Sequence, residues 1–252
     1  MSDLFWLTEA QMARIAPFFP KSHGKPRVDD RRVLSGIIFI IRNGLRWRDA
    51  PTAYGPHKTL YCRWRRWSGK GIFARMMASL AANHGEEKAV MIDATYLKAH
   101  RTATSMAGQK GGRGRLIGRT KGGMNTKLHA ICDSQGRPLD LFITAGQVSD
   151  YIGARALLSG LPKVKWLLGD RGYNADWLRE ALQDKGIRAC TPGRKQRKMP
   201  IKYDKRRYKR RSRIEIMFGR LKDWRRVATR YDRCPKIFLS AIALAATVIY
   251  WL

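Results

Sequence analysis

The chain has 252 residues, with 51 Lys+Arg against 19 Asp+Glu and a formal net charge of +32. Apolar residues make up 44% of it, which supports a packed core and excludes a disordered chain. So large a positive excess opposes compaction unless a polyanion neutralises it, so nucleic acid is the expected partner and an anionic membrane surface the other candidate.

Residues 1–85 read as helical. Thr8 caps a first helix, with Gln11 placed for a capping box. Asp29 or Asp30 caps a second, which carries Val33, Leu34, Ile37, Ile38 and Ile41 at helical spacing and ends at Gly44. A third starts near Pro56 and runs through Leu60 to Trp67, with Lys58, Arg63, Arg65 and Arg66 interleaved with Tyr61, Trp64 and Trp67. Three short helices with a basic, aromatic one last suit a small helix-turn-helix-like DNA-binding domain; a plain helical bundle with a solvated basic face is the alternative.

From residue 88 the pattern changes. Ala89–Asp93 is a short apolar strand ending in an acid, and residues 101–127 form a Gly-rich, basic loop. Lys127–Asp133 and Pro138–Thr144 make a hairpin around Ser134-Gln135-Gly136. A helix over Asp150–Leu161, a strand over Val164–Gly169 ending at Asp170, a helix over Ala175–Lys185 and a strand over Ile187–Thr191 follow. This order gives a mixed α/β sheet with crossover helices. Residues 192–205 are a basic linker, and a long helix spans about Arg206–Arg226. The apolar stretch Ala241–Leu252 falls short of the roughly 20 residues that a membrane span needs, so a buried terminal helix and no membrane are expected. Met1–Ala10 lacks the basic start and apolar run of a secretory signal. Cys62, Cys132, Cys190 and Cys234 show no metal-binding spacing and are expected to be reduced, mostly buried thiols of a cytosolic protein.

Three acids stand out. A carboxylate at the end of a buried strand is poor for stability, and strand ends are where α/β sheets build their sites. Alone, Asp93 or Asp170 reads as a turn cap; together, on strands expected to be neighbours, they point to a shared metal site. On the long helix, Ile214, Met217, Phe218 and Leu221 form one apolar stripe, with Tyr208, Arg211, Glu215 and Lys222 along one flank. Glu215 therefore sits at the rim of the core, either ion-paired to an arginine or as a third ligand. Hard divalent cations take carboxylate oxygens, and two of them can activate the attacking oxygen and stabilise the leaving one at a phosphodiester. Lys and Arg orient the DNA backbone instead.

The set resembles the DDE transposases of bacterial insertion sequences, most of all the insertion-sequence-five family. Tyr208, Arg211, Glu215 and Lys222 match the spacing of that group's Tyr-x2-Arg-x3-Glu-x6-Lys signature. Asp170-Arg171-Gly172-Tyr173 is similar to its second-acid motif, and Asp93-Ala94-Thr95 with Lys98-Ala99-His100 to its first. The stretch Gly118–Lys127 resembles its basic loop, Arg225–Asp232 its ending, and Leu45–Asp49 with Gly55-Pro56 its N-terminal module. One departure is Ser149, in Gly146–Asp150, where His is expected.

The resemblance implies an RNase H-like catalytic domain over 88–252, behind a helical DNA-binding domain over 1–85. It implies metal-dependent cleavage at transposon ends, then attack of the freed 3′-hydroxyl on target DNA. Asp93, Asp170 and Glu215 would be catalytic and hold Mg²⁺, with Mn²⁺ as a substitute. Tyr208, Arg211, Lys222, Arg63, Arg65, Arg66, Arg119, Lys121, Lys127 and Arg171 are the expected DNA contacts. Double-stranded DNA and a second copy of the chain are the expected partners, in the cytoplasm of a bacterium on its nucleoid. A structure-specific nuclease on the same core and a non-catalytic DNA-binding protein are the competing readings.

Overall fold

The computed structural model describes residues 3–21, 28–82, 88–105, 112–193 and 200–252. Its first part is helical: α1 (Glu9–Ile15), α2 (Asp30–Asn43), α3 (His57–Gly69) and α4 (Ile72–Ala82). Local chemistry sets these boundaries. The Thr8–Gln11 capping box closes reciprocally, and Asp29 accepts the N–H groups of Arg31 and Arg32 at the start of α2. Gly44 ends α2 at φ 74°, in the left-handed conformation that a side chain disfavours.

Among the described residues seven strands form one mixed sheet: β1 (Ala89–Ala99), β2 (Gly118–Thr120), β3 (Gly123–Cys132), β4 (Pro138–Ala145), β5 (Trp166–Leu168), β6 (Arg188–Cys190) and β7 (Thr229–Arg230). The order is β2-β3-β1-β5-β6, with β4 also on β3 and β7 also on β1. β1 runs antiparallel to β3 and parallel to β5 and β7. The remaining helices are α5 (Arg101–Thr104), α6 (Asp150–Leu158), α7 (Asp176–Asp184), α8 (Lys205–Tyr208), α9 (Ser212–Lys222), α10 (Arg225–Ala228) and α11 (Pro235–Tyr250).

Alternation along the strands divides the core. Val90, Ile92 and Ile131 face α6 and α7, while Met91, Leu97, Leu128, Ala130 and Cys132 face α9 and α11. The second cluster also holds the apolar residues of α2, α3 and α4, so the N-terminal helices share a core with the sheet. α11 is its centre, packed on α2, α3, α4, α9, α10 and β4. Its Ser240 and Thr247 hydroxyls return to carbonyls of the same helix, which lets them be buried. Among the described residues no helix is long and apolar enough to cross a membrane.

Several sequence expectations change. β1 continues six residues past Asp93, because Thr95, Leu97 and their neighbours still pair with β3. The basic loop expected over 101–127 contains α5 and the β2–β3 hairpin, which turns at Lys121-Gly122 into Gly123 (φ 91°). The long helix expected over 206–226 is broken by a 3₁₀ turn at Lys209–Arg211 and ends at Lys222. α4 follows the three expected N-terminal helices, and its apolar residues pack into the core. Two 3₁₀ turns separate α2 from α3, whereas only Lys70-Gly71 separates α3 from α4. Cys132 and Cys190 are buried, but Cys62 and Cys234 are exposed thiols. Of the basic linker, Arg194, Lys195, Arg197 and Lys198 lie outside the described residues.

α6 lies close over β3 because Gly153 has no side chain: a Cβ there would come within 2.0 Å of His129 Nδ1. The enclosed His129 bonds through Nε2 to Thr144 Oγ1 (2.9 Å), and burial lowers its pKa from 6.5 to about 4. Between these values the unfolded chain takes up a proton that the folded chain refuses, so stability falls as pH drops from about 6.5 towards 4. The full difference is about 3 kcal/mol. In chemical denaturation across pH 7.5 to 4.5, His129→Gln should lose less stability on acidification than the unmutated protein; the same pH slope in both would rule out His129 as a contributor.

Candidate active site

Asp93 and Asp170 are brought to one level by strand register. Met91 pairs with Leu168 in the parallel β1–β5 ladder, and each acid lies two residues further on. β5 ends there and β7 joins β1 only at Lys98, so the stretch 92–97 of β1 pairs on one side alone, with β3. The result is a notch in the sheet: β1 is its floor, the end of β5 one wall and β7 the other. α9 crosses above it on the Asp93 face.

The Asp93 side chain is 16% exposed. Oδ1 accepts the Ala94 N–H (2.8 Å), an amide left without a strand partner by the notch, and Oδ2 accepts Arg211 Nη1 (2.8 Å). Burial pushes the Asp93 carboxyl up to about 6, against the pull of the Ala94 amide and Arg211, and the charge of Asp170 adds to the rise. Asp170 caps the 3₁₀ turn Arg171–Tyr173, with its Oδ1 accepting the Gly172 N–H (2.7 Å).

The flank read from the helical pattern faces the notch. Ile214, Met217, Phe218 and Leu221 are all buried. Arg211 bonds to Asp93 and, through Nη2, to Glu215; Lys222 donates to Thr95 Oγ1 (2.6 Å). Tyr208 lies beside Arg211, whose guanidinium carbon is 5.8 Å from its ring centre. Glu215 is mostly exposed and turned to Arg211. Thus two of the three acids converge in the notch, and a guanidinium stands between them and the third. Among the described residues no group of three His, Cys, Asp or Glu side chains is close enough to hold a metal. Asp93 and Asp170 do fit one: two hard oxygen donors at one level, one raised by burial and by its neighbour's charge, suit a hard divalent cation.

The expected DNA contacts fall into two groups. Arg65, Arg66, Arg119, Lys121 and Arg171 are exposed, Arg171 directly beside Asp170. Arg63 and Lys127 are held by acids. Arg63 is partly buried in an ion pair with Asp30 (2.8 Å), because its side of α3 packs on α2. Lys127 is only 5% exposed, and its ammonium bonds to Val148 O (2.6 Å) and Asp150 Oδ1 (3.0 Å). Asp150, read from sequence only as a helix start, brings a further carboxylate towards the Asp170 turn: a Cβ on Gly172 would lie 3.5 Å from its Oδ2. The intervening Tyr173 is raised in pKa by burial and by the charges of Asp150, Asp93 and Asp170. The available signal was that Asp150 closes the stretch Gly146–Asp150, which the resemblance had already singled out.

Removing the positive member of the Asp93–Arg211 pair leaves a desolvated carboxylate facing a second one. Arg211→Gln should therefore destabilise the chelator-treated protein by about 1–3 kcal/mol in urea unfolding; a change within 0.5 kcal/mol, roughly the level of an ordinary surface substitution, would contradict this role for Arg211.

Comparisons with known proteins place the chain in a family. The family model "Transposase DDE domain" matches residues 84–250, and the model "Putative transposase of IS4/5 family" matches residues 7–77. The chain is 37% identical over 129 residues to the "Putative transposase for insertion sequence element IS6501" of Brucella ovis, covering 50% of this chain and 98% of that protein. It is 27% identical over 156 residues to the "Putative transposase for insertion sequence element IS402" of Burkholderia cepacia, covering 54% of this chain and 72% of that one. The fold is similar to that of the piggyBac transposase in a synaptic complex with hairpin DNA, with a TM-score of 0.54, 9% identity, and coverage of 94% of this chain and 69% of that one. The mixed sheet with flanking helices is thus RNase H-like, behind an N-terminal helical region.

Proposed function

The chain belongs to the DDE transposase family of insertion sequences, and from this premise we propose that it cuts phosphodiester bonds at transposon ends and joins the freed 3′-hydroxyl to target DNA at the Asp93–Asp170 notch. As a member it is a DNA transposase, an enzyme of DNA cleavage and strand transfer that depends on divalent metal. The observation that carries the assignment is the register that sets Asp93 and Asp170 side by side where β1 loses its parallel neighbour.

In this reading Asp93 and Asp170 hold the metal through carboxylate oxygens, and Glu215 completes the site when Arg211 leaves it. Mg²⁺ is the proposed ion, with Mn²⁺ as a substitute. When bound, the metal supplies activation of the attacking oxygen and stabilisation of the leaving one. Arg211, relieved of Asp93, is in place to take a DNA phosphate, and Tyr208 shapes its approach. Lys222 orients the Thr95 side of the notch and lies near enough to reach the backbone. Arg171, Arg119 and Lys121 would hold the flanking phosphates. Exposed Arg65 and Arg66 on α3, with Lys58 and Tyr61, form the surface for the double-stranded end. Residues 1–85 act as the DNA-binding domain and 88–252 as the catalytic domain, with the basic segment 192–205 as a linker in the sequence. Pairing two ends calls for a homodimer, at least on DNA. The workplace proposed is the bacterial cytoplasm, on the nucleoid.

The test incubates the protein and its Asp170→Asn variant with DNA carrying the element's own ends, with Mg²⁺ or chelator. End-specific nicks that require both Mg²⁺ and Asp170, with end binding preserved in the variant, are expected. Binding with no cleavage by the unmutated protein under any divalent metal would leave a DNA-binding protein.

A further inference from the structure

Odd-numbered residues of β1 face α9, and even-numbered ones face the opposite side, where α6 covers β3 only as far as its own start at Asp150. Beyond that point a cavity of about 470 Å³ is lined by Tyr96, Lys98, Thr120, Lys121, Gly122 and Asn125. Tyr96 is 51% exposed, the most exposed aromatic side chain among the described residues. Its ring is backed by the ammonium of Lys127, 4.9 Å from the ring centre, which is itself fixed by Val148 O and Asp150. One ring face is held and the rest is open.

The rim is basic. Lys98 and Lys121 are exposed, and neither has an acidic partner among the described residues. Asn125 donates to Thr120 Oγ1 (2.6 Å) and Gly123 O (3.0 Å), which pins the β2–β3 turn that carries Lys121. A fixed, open aromatic face between unpaired cations has the chemistry that holds single-stranded nucleic acid: the base stacks and the phosphates meet the lysines. A duplex offers no free base face. Tyr96 lies three residues beyond Asp93, about 10 Å along the same open stretch of β1 and on the opposite face of the sheet.

We propose that Tyr96 is a stacking platform for an unpaired DNA base next to the cleavage notch, with Lys98 and Lys121 holding the adjacent phosphates. The proposal rests on the transposase reading and adds the strandedness of what the chain binds there. One exposed, immobilised ring replaces the bases that the nicked strand loses as stacking neighbours. Lys127, which cannot reach DNA itself, acts through Tyr96 as a positioning residue.

Fluorescence anisotropy with a labelled 16-nucleotide oligo(dT) and a 16-base-pair duplex, in chelator, tests this on the full chain. Stacking of about 1–3 kcal/mol per base corresponds to a loss of roughly 5- to 150-fold. Tyr96→Ala should weaken single-strand binding by that factor while leaving duplex binding within about twofold, and Tyr96→Phe should bind both as the unmutated protein does. Lys98→Gln should lower the single-strand salt slope by about 0.7. Unchanged single-strand affinity in Tyr96→Ala, or an equal loss for single strand and duplex, would overturn the proposal while duplex binding and metal-dependent nicking by the unmutated protein kept the transposase reading. An unmutated protein that bound neither DNA would overturn both.

Discussion

Placing two carboxylates at one level of a sheet, partly out of water, costs free energy that positive charge has to offset. The 3₁₀ turn that leads into α9 supplies that charge through Arg211, which reaches Asp93 with one guanidinium nitrogen and Glu215 with another. Much else in the architecture serves this contact. β5 stops short so that β1 keeps an open edge, and the buried stripe of Ile214, Met217, Phe218 and Leu221 fixes the rotation of α9 that points Arg211 downwards. In the structure Arg211 sits on the carboxylates; in the proposed reading it exchanges them for an incoming phosphate. A divalent ion offsets the same carboxylate charge, so metal and guanidinium are alternatives for Asp93.

The N-terminal helices are tied into this frame. α11 runs through the shared core, and Arg226, itself buried, donates to Leu45 O (3.0 Å) at the end of α2 while lying between the Trp47 and Tyr231 rings. Buried Arg230 on β7 is satisfied by the carbonyls of Leu116, Asp232 and Arg233 and the hydroxyl of Thr126. Both arginines are held by carbonyl oxygens and ring faces, which permits burial in so basic a chain. DNA held on α3 would thus be connected to the notch through packed side chains.

The helix caps, the Gly44 stop and the inward stripe of α9 were legible because each depends on residues close in sequence. The pairing of Asp93 with Asp170 was legible because both follow short apolar runs, and such runs become neighbouring buried strands. The remainder of β1 was not, since Thr95, Tyr96, Leu97 and Lys98 alternate as a half-buried strand does and the apolar run had already ended at Asp93. The break at Lys209–Arg211 was hidden in an all-polar stretch, where no apolar period marks a change of helix type. Lys127 and Arg63 look like DNA contacts by charge alone; their engagement depends on Asp150 and Asp30, partners distant in sequence. Glu215 was placed on the correct flank, yet its pairing with Arg211 keeps it from the other acids.

Thermal melting with chelator or with excess Mg²⁺ or Mn²⁺ tests the central claim, that Asp93 and Asp170 form a divalent-cation site whose charge Arg211 otherwise balances. At a hundredfold excess over the dissociation constant, binding adds about 2.7 kcal/mol, or several degrees for a chain of this length. The account predicts such a rise for the unmutated protein and none for Asp170→Asn. An equal rise in the variant, or none in either protein at millimolar metal, would contradict it.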